Sequence, residues 1–175
     1  MQPIITRRLT LRPFVREDEE AAFAFFSDPA VMRFSLNGVH ASRKPTEDFI
    51  LANIIRQTRT EFSIWAVEEQ SSGHVIGMCG LAEFGHGISG IELAYRLRRD
   101  RWGQGYASEA AESTVEYAFA ELQLGRLIAA VEPANVVSVR VLEKTGFSRV
   151  LRRSIAGKDA FVFEQTRNDW LARQI

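Results

Sequence analysis

Apolar and polar positions change period several times along this chain, and each change marks a boundary between elements. From Ile91 to Leu97 the residues Ile91, Leu93, Tyr95 and Leu97 alternate with others at period two, which predicts a strand. From Ala107 the spacing becomes helical: Ala107, Ala110, Ala111, Val115, Ala118 and Phe119 share one face as far as about Leu122. Upstream, Thr6 to Phe14 reads as a first strand stopped at Pro13. Glu17-Asp18-Glu19-Glu20 places acidic residues at the start of a helix that Ala21, Phe23 and Phe26 continue, and Ser27-Asp28-Pro29 breaks it. Residues 30–44 show no clear period and contain Asn37-Gly38, so they read as loop and short helix. Pro45-Thr46-Glu47-Asp48 opens a second helix to about Arg59, with Phe49, Ile50, Ile54 and Ile55 as its apolar face.

Period two returns at Phe62 to Glu68 and, after the turn Ser71-Ser72-Gly73, at His74 to Phe84. Gly85 to Gly90 connects this strand to the one beginning at Ile91; His86 within it reads as a solvated turn histidine, with no second metal ligand nearby. Three strands joined by short turns predict an antiparallel meander. After the central helix, Leu127 to Val131 reads as a strand ended by Glu132-Pro133-Ala134-Asn135. A helix follows, with Val137, Val141 and Leu142 apolar and Lys144-Thr145-Gly146 as its stop. Phe147 to Ile155 and Ala160 to Thr166 pair as a hairpin across 156–159. The sum is an α+β chain with seven strands in one mostly antiparallel sheet, read as a single domain over 1–175.

Chemistry enters between the strand at 91–97 and the helix that follows, where a basic run leads into Trp102-Gly103-Gln104-Gly105-Tyr106-Ala107. A glycine turn entering a helix leaves unpaired N–H groups at the positive end of the helix dipole, which suits a phosphate. An ordinary strand-to-helix turn has the same look, so the glycines alone do not decide. A phosphate-binding P-loop needs Gly-Lys-Ser or Gly-Lys-Thr, and a dinucleotide fingerprint needs a third glycine after Gly105; neither is present.

Composition narrows the class. Of 175 residues, 22 are Lys or Arg and 22 are Asp or Glu, so no global field favours nucleic acid or an anionic membrane. The single cysteine, Cys79, excludes an internal disulfide and a cysteine-rich metal site, and its apolar surroundings predict a buried thiol. No segment reaches membrane-spanning length and the first residues lack a signal-peptide core, so a cytoplasmic protein is expected.

The order of these elements carries a resemblance. Trp-Gly-Gln-Gly-Tyr-Ala at 102–107 is followed by Glu109-Ala110, and Asn135-x-x-Ser138 leads to Glu143-Lys144-Thr145-Gly146-Phe147. Together they resemble the GNAT superfamily of acyl-CoA-dependent N-acyltransferases. The opening Thr6-Arg7-Arg8-Leu9-Thr10-Leu11-Arg12-Pro13-Phe14 and the closing Arg167-Asn168-Asp169-Trp170 are similar to its Rim-like branch, which includes ribosomal-protein N-terminal acetyltransferases.

That resemblance implies helices on both faces of the sheet and a splay between the fourth strand (91–97) and the fifth (127–131). It implies that acetyl-CoA is the co-substrate and that no metal is used. The amides of Trp102, Gly103, Gln104, Gly105, Tyr106, Ala107 and Ser108 would cradle the coenzyme pyrophosphate. Tyr95, Arg96 and Leu97 would pair their backbone with the pantetheine arm, Asn135 would hydrogen-bond it, and Lys144 would bind coenzyme as well. Arg98, Arg99 and Arg101 are either phosphate contacts or a solvated basic loop.

Acyl transfer to an amine needs a base for the ammonium and a proton for the departing thiolate. Glu92 on the fourth strand is the expected base, acting through a water, with Glu83 in reserve; a surface carboxylate is the competing reading. Many members carry a tyrosine seven residues after the asparagine, where this chain has Leu142, and Ser138 stands in as the acid or else caps its helix. The acceptor is an amine, a small molecule or a protein N-terminus, bounded by the first two helices and the loop 30–44. Phe34, Trp65 and Phe84 are either its lining or core. A non-catalytic acyl-CoA sensor is the alternative function, and the resemblance leaves a homodimer open.

Overall fold

The computed structural model describes residues 2–85 and 87–174. His86 lies outside the described residues. One sheet of eight strands runs in the order β1-β2-β3-β4-β5-β6-β8-β7. The strands are β1 (Ile4–Ile5), β2 (Leu9–Arg12), β3 (Ile64–Glu69), β4 (His74–Glu83), β5 (Ile91–Leu97), β6 (Arg126–Val131), β7 (Ser148–Ile155) and β8 (Lys158–Thr166). Every neighbouring pair is antiparallel except β5 and β6, which are parallel. The expected meander is therefore β3-β4-β5.

The eighth strand corrects the expected count of seven. Of the expected strand over Thr6 to Phe14 only Leu9–Arg12 is extended, and the additional strand, Ile4–Ile5, lies before it. Thr6 N–H donates to Leu9 O, and Leu9 N–H donates back to Thr6 Oγ1. This local turn separates β1 from β2, a competition that threonine side chains set up readily. The hairpin turn between β7 and β8 is also tighter than expected: Ala156 and Gly157, both at positive φ, suffice, so β8 begins at Lys158.

The helices are α1 (Glu19–Phe26), α2 (Pro29–Met32), α3 (Lys44–Arg56), α4 (Tyr106–Glu116), α5 (Val136–Thr145) and α6 (Arg167–Ala172). A 3-10 turn over Arg16–Asp18 precedes α1, where buried Asp18 accepts two bonds from Arg12 at 2.8 Å and one from Val15 N–H at 2.9 Å. α4 widens into a π-helical turn at Tyr117–Glu121. α6 was not expected from apolar spacing. Its signal is polar: Thr166 and Asp169 form a reciprocal capping box.

Parity along β5 sorts the two faces. Leu93 and Leu97 are buried with Tyr106, Ala110, Ala111 and Val115 of α4 and with Val141 and Leu142 of α5. Ala94, Ala66 and Met78 pack on the other face with Phe25 and Phe26 of α1 and Ile50 of α3. Helices thus cover both faces. Trp65, weighed above as cleft lining, is fully buried on the α4 face.

The parallel pair is short. β5 and β6 are in register only at Ile91↔Leu127 and Glu92↔Ile128, and beyond Glu92 they part. Close packing of β4 on β5 holds the far end of β5, beside the gap. A Cβ on Gly77 would overlap the Arg96 carbonyl oxygen and the Leu97 Cα, whereas one on Gly85 would meet nothing within 4 Å. Gly77→Ala should therefore lower unfolding free energy by about 1–3 kcal/mol, with Gly85→Ala near wild type. Urea denaturation of the two variants measures this. Equal midpoints would refute the close approach of the strands.

Candidate active site

The 102–108 loop begins after a 3-10 turn at Arg99–Arg101. Gly103 and Gly105 both adopt positive φ, 73° and 81°, a conformation that glycine enters without a Cβ penalty. Gly105 is the N-cap of α4 and has no side chain with which to cap it. The first helical bond is Glu109 N–H to Gly105 O at 3.0 Å, so the N–H groups of Tyr106, Ala107 and Ser108 have no acceptor within their helix. A Cβ on Gly103 would point into open space. Orphan donors at a helix N-terminus beside open space fit a pyrophosphate.

Three side chains that the sequence reading gave no role lock this cradle. Glu109, on the first turn of α4, accepts from Thr6 Oγ1 at 2.7 Å, from Arg8 N–H at 2.8 Å and from Arg8 Nε at 2.7 Å. Burial pushes the Glu109 carboxyl up, but these bonds outweigh it and hold the group below its ordinary range. Arg8 also donates to Gln104 O at 3.0 Å and lies 4.3 Å over the Tyr106 ring. On the far side, the Tyr106 hydroxyl donates to buried Glu69 at 2.7 Å, and Glu69 also accepts from Ser72 and Arg101. The signals were present as Arg8 in the opening motif and Glu109 after the glycines, but only the fold brings them together.

The basic run is largely engaged within the protein. Arg98 pairs with Asp100 at 3.1 Å, and Arg101 pairs with Asp100 at 3.0 Å and Glu69 at 3.2 Å. Lys144 sits 4.0 Å from Glu112 of α4, in a groove of about 230 Å³ lined also by Trp170 and Arg173. It does not join the cradle.

Hydrogen-bond phase on β5 decides which backbone groups meet the gap. Arg98 N–H donates to Ile76 O, and Phe84 N–H to Gly90 O, so the even residues of β5 bond to β4. Arg96 therefore spends its backbone on β4. The N–H and C=O groups of Tyr95 and Leu97 face the gap towards β6. The Trp102 indole Nε1 donates to Leu97 O at 2.9 Å, tying the loop to the strand end.

Across the gap stands the N-terminus of α5. Asn135 is its N-cap, accepting from Ser138 N–H at 3.3 Å through Oδ1, so Ser138 is not the cap. The Tyr95 hydroxyl donates to Ser138 O at 3.1 Å. Burial holds the Tyr95 phenol well above its usual range, opposed in part by the Ser138 side chain beside it. Leu142 is buried in the core and offers no hydroxyl.

Glu92 lies at the foot of the gap, with its side chain on the α1–α3 face. Burial pushes its carboxyl up to about 7, against a bond from the Ala130 backbone and the charge of Arg96. Glu83, the reserve, is exposed. The surrounding wall comes from three places. His40 stacks on Phe26 at 4.6 Å, and its Nδ1 lies 2.9 Å from Thr46 Oγ1. Phe84 is buried with Ile128, Ile155 and Val162. Phe34 is half-buried, with the Arg33 guanidinium 5.1 Å over its ring. Lys158, from the β7–β8 hairpin, spans to Ser35 O at 3.3 Å and Glu132 at 2.9 Å, joining the hairpin to the loop after α2.

Comparison with known proteins agrees with this geometry. Residues 8–148 match the family described as acetyltransferase (GNAT) domain. The chain is 30% identical to the N-acetyltransferase p20 of Bacillus licheniformis, itself uncharacterized, over 85% of this chain and 84% of that one. The crystal structure of a GNAT-family acetyltransferase from Bacillus anthracis superimposes with a TM-score of 0.83 at 26% identity, covering 95% of this chain and 99% of the other. The ribosomal-protein-S5-alanine acetyltransferase of Vibrio fischeri shares the fold, with a TM-score of 0.81 at 18% identity over 97% and 99% of the two chains. A splayed β5–β6 pair, a glycine turn at the start of α4 and a match to acetyltransferases over most of the chain together place it in the GNAT family of acetyl-CoA-dependent acetyltransferases.

Proposed function

We propose that this chain is a single-domain, cytoplasmic N-acetyltransferase that moves the acetyl group of acetyl-CoA directly to a primary amine held in the same complex. The observation that carries this reading is the placement of Glu92. It stands where β5 and β6 part, its carboxyl is poised near neutral pH, and it faces away from the cradle. Acetyl-CoA supplies the activated acyl group. The orphan amides of Gly103 to Ser108 would hold its pyrophosphate, and the backbone of Tyr95 and Leu97, with the Asn135 amide, would hold its arm across the gap.

Glu92 takes the proton from the incoming ammonium through a water, which a carboxylate titrating near 7 can do at neutral pH. On the opposite side of the sheet the Ser138 and Tyr95 hydroxyls lie together beside the gap, and Ser138 donates its proton towards the departing sulfur. Raised by burial, the Tyr95 phenol stays protonated and orients that turn of α5. The α1–α3 face and the Lys158 bridge bound the acceptor, a small amine or a protein N-terminus.

The cradle is tested first. Gly105→Glu should abolish acetyl-CoA binding in isothermal titration, because it sets a carboxylate among the loop amides, its Cβ 3.5 Å from Arg8 Nη2, where it would repel the anion and compete for Arg8, while Gly105→Ala retains binding with about 1 kcal/mol of backbone strain. Unchanged affinity in a folded Glu variant would remove the cradle from the argument.

For Glu92 the sign follows from a pKa raised from 4.5 to about 7. The stability it contributes is complete below about 4.5 and is lost as pH rises through 7. Glu92→Gln should therefore melt above wild type at pH 8, with the gap closing towards pH 4.5. The same variant should lose the rise in rate near pH 7, with a defect that shrinks once the free amine arrives deprotonated. A loss of rate that does not vary with pH would assign Glu92 to structure or acceptor binding.

Ser138→Ala is expected to lower turnover by about tenfold to a hundredfold, leaving acetyl-CoA affinity and the melt nearly unchanged because Asn135 supplies the cap. Wild-type rates would sink the role of Ser138 as acid. Tight acyl-CoA binding without thiol release from any amine would instead identify a sensor.

A further inference from the structure

The guanidinium of Arg96 makes no hydrogen bond or ion pair among the described residues. Its side chain leaves β5 on the same face as Glu92 and Ala94, half-buried, 5.8 Å over the Phe26 ring. Burial pulls it down to about 10, and the charge of Glu92 offsets this only in part. Arg12, Arg101 and Arg8, half-buried as well, are ion-paired: Arg12 with Asp18 and Glu68, Arg101 with Glu69 and Asp100, Arg8 with Glu109. A partly desolvated guanidinium with no protein acceptor is open to an anionic ligand, which would supply the bonds that the protein does not.

Glu92 is not that partner. It lies four residues along the same strand, about 13 Å away at the Cα at roughly 3.3 Å per residue, with only the small side chain of Ala94 on that face between them. No ion pair joins the two. His40, also near, has its pKa lowered by burial and by the charge of Arg96, and an imidazole is an anion in neither of its states. The pyrophosphate cradle sits at the start of α4, on the opposite face of the sheet.

We propose that Arg96 is the anion-recognition group of the acceptor site, and that the acceptor is an aminocarboxylate, an amino acid or close analogue. Its amine is presented to Glu92 while its carboxylate is held by the fork of Arg96. This rests on the acetyltransferase reading above and narrows it. A carboxylate fits because the planar guanidinium binds it with two parallel N–H bonds. A polyamine is disfavoured, since its second cation would meet Arg96 instead of a carboxylate.

The decisive measurement is binding, which does not depend on turnover. Coenzyme A-loaded protein would be titrated calorimetrically with N-acetylglycine, N-acetylleucine, N-acetylphenylalanine and N-acetylaspartate, and with the matching α-carboxamides. At least one acid should bind about tenfold more tightly than its amide to the wild type. Arg96→Gln should erase that preference and Arg96→Lys restore part of it, with acetyl-CoA affinity unchanged in both. Equal binding of acid and amide, or no binding of any acid, would overturn the proposal using wild-type protein alone. Loss of acetyl-CoA affinity in parallel with acid affinity would also overturn it, by giving the anion to the coenzyme. Thiol release from spermidine and amino-acid amides, but not from free amino acids, would refute it while leaving the acetyltransferase reading intact. An acid preference without thiol release from any amine would keep the anion site and sink the transferase reading.

Discussion

Everything at this site depends on a parallel strand pair that stops almost as soon as it starts. β5 and β6 share two register positions and then diverge, which leaves backbone groups of Tyr95 and Leu97 without a strand to bond. Each buried peptide group left unpaired costs about 1–3 kcal/mol, so the gap is an unfavourable feature that persists because its surroundings are rigid. Those surroundings are the antiparallel β3-β4-β5 ladder on one side and the β6-β8-β7 ladder on the other. A ligand with amides of its own can supply the missing partners. Trp102 already supplies one, at Leu97 O, which shows that the strand end accepts donors from outside the sheet.

Net charge is zero, yet the site needs to attract an anion. The structure resolves this by separating side-chain charge from backbone charge. Arg98 and Arg101 in the basic run are paired with Asp100 and Glu69, and Arg8 with Glu109. Apart from exposed Arg99, what the loop offers an anion is the row of N–H groups and the dipole of an eleven-residue α4. The arginines act indirectly, by holding Gln104, Tyr106 and Glu109 so that the amides converge. A cradle built this way owes its attraction to short-range geometry more than to a long-range field, which suits a chain with no steering charge.

Much of this was legible in the sequence, and the reasons differ by element. The alternation at 91–97 and the helical spacing after 106 were readable because one face of each is buried, and burial writes periodicity into sequence. The glycines were readable because only their conformational freedom serves the turn. The Arg8–Glu109 pair was not, since its partners are separated by 101 positions and periodicity carries no long-range information. α6 was missed because its apolar stripe is short and its start is encoded by a polar cap. β1 is only two residues long, Ile4–Ile5, too short to show a period, and the turn that separates it from β2 is set by bonds between Thr6 and Leu9. The face taken by Glu92 required knowing what packs on each side of β5, which follows from Leu93 and Leu97 lying with α4 and Ala94 with α1 and α3.

Leu142 gives the last step. A tyrosine is common there in the family that the sequence resembles, and here the position is apolar, 1% exposed and part of the packing between α4 and α5. A phenol at that depth would need a hydrogen-bond partner or carry the cost of an unsatisfied hydroxyl. The chain instead brings its hydroxyls in from β5 and the first turn of α5, where Tyr95 spans to Ser138 across the mouth of the gap. That arrangement joins two elements that the splay would otherwise leave apart, so one bond holds the wall of the cleft and positions the proposed proton donor. Asn135 takes over the capping duty, which frees the serine hydroxyl from a structural role. Division of labour between a cap at 135 and a hydroxyl at 138 is therefore what allows the core to keep a leucine at 142.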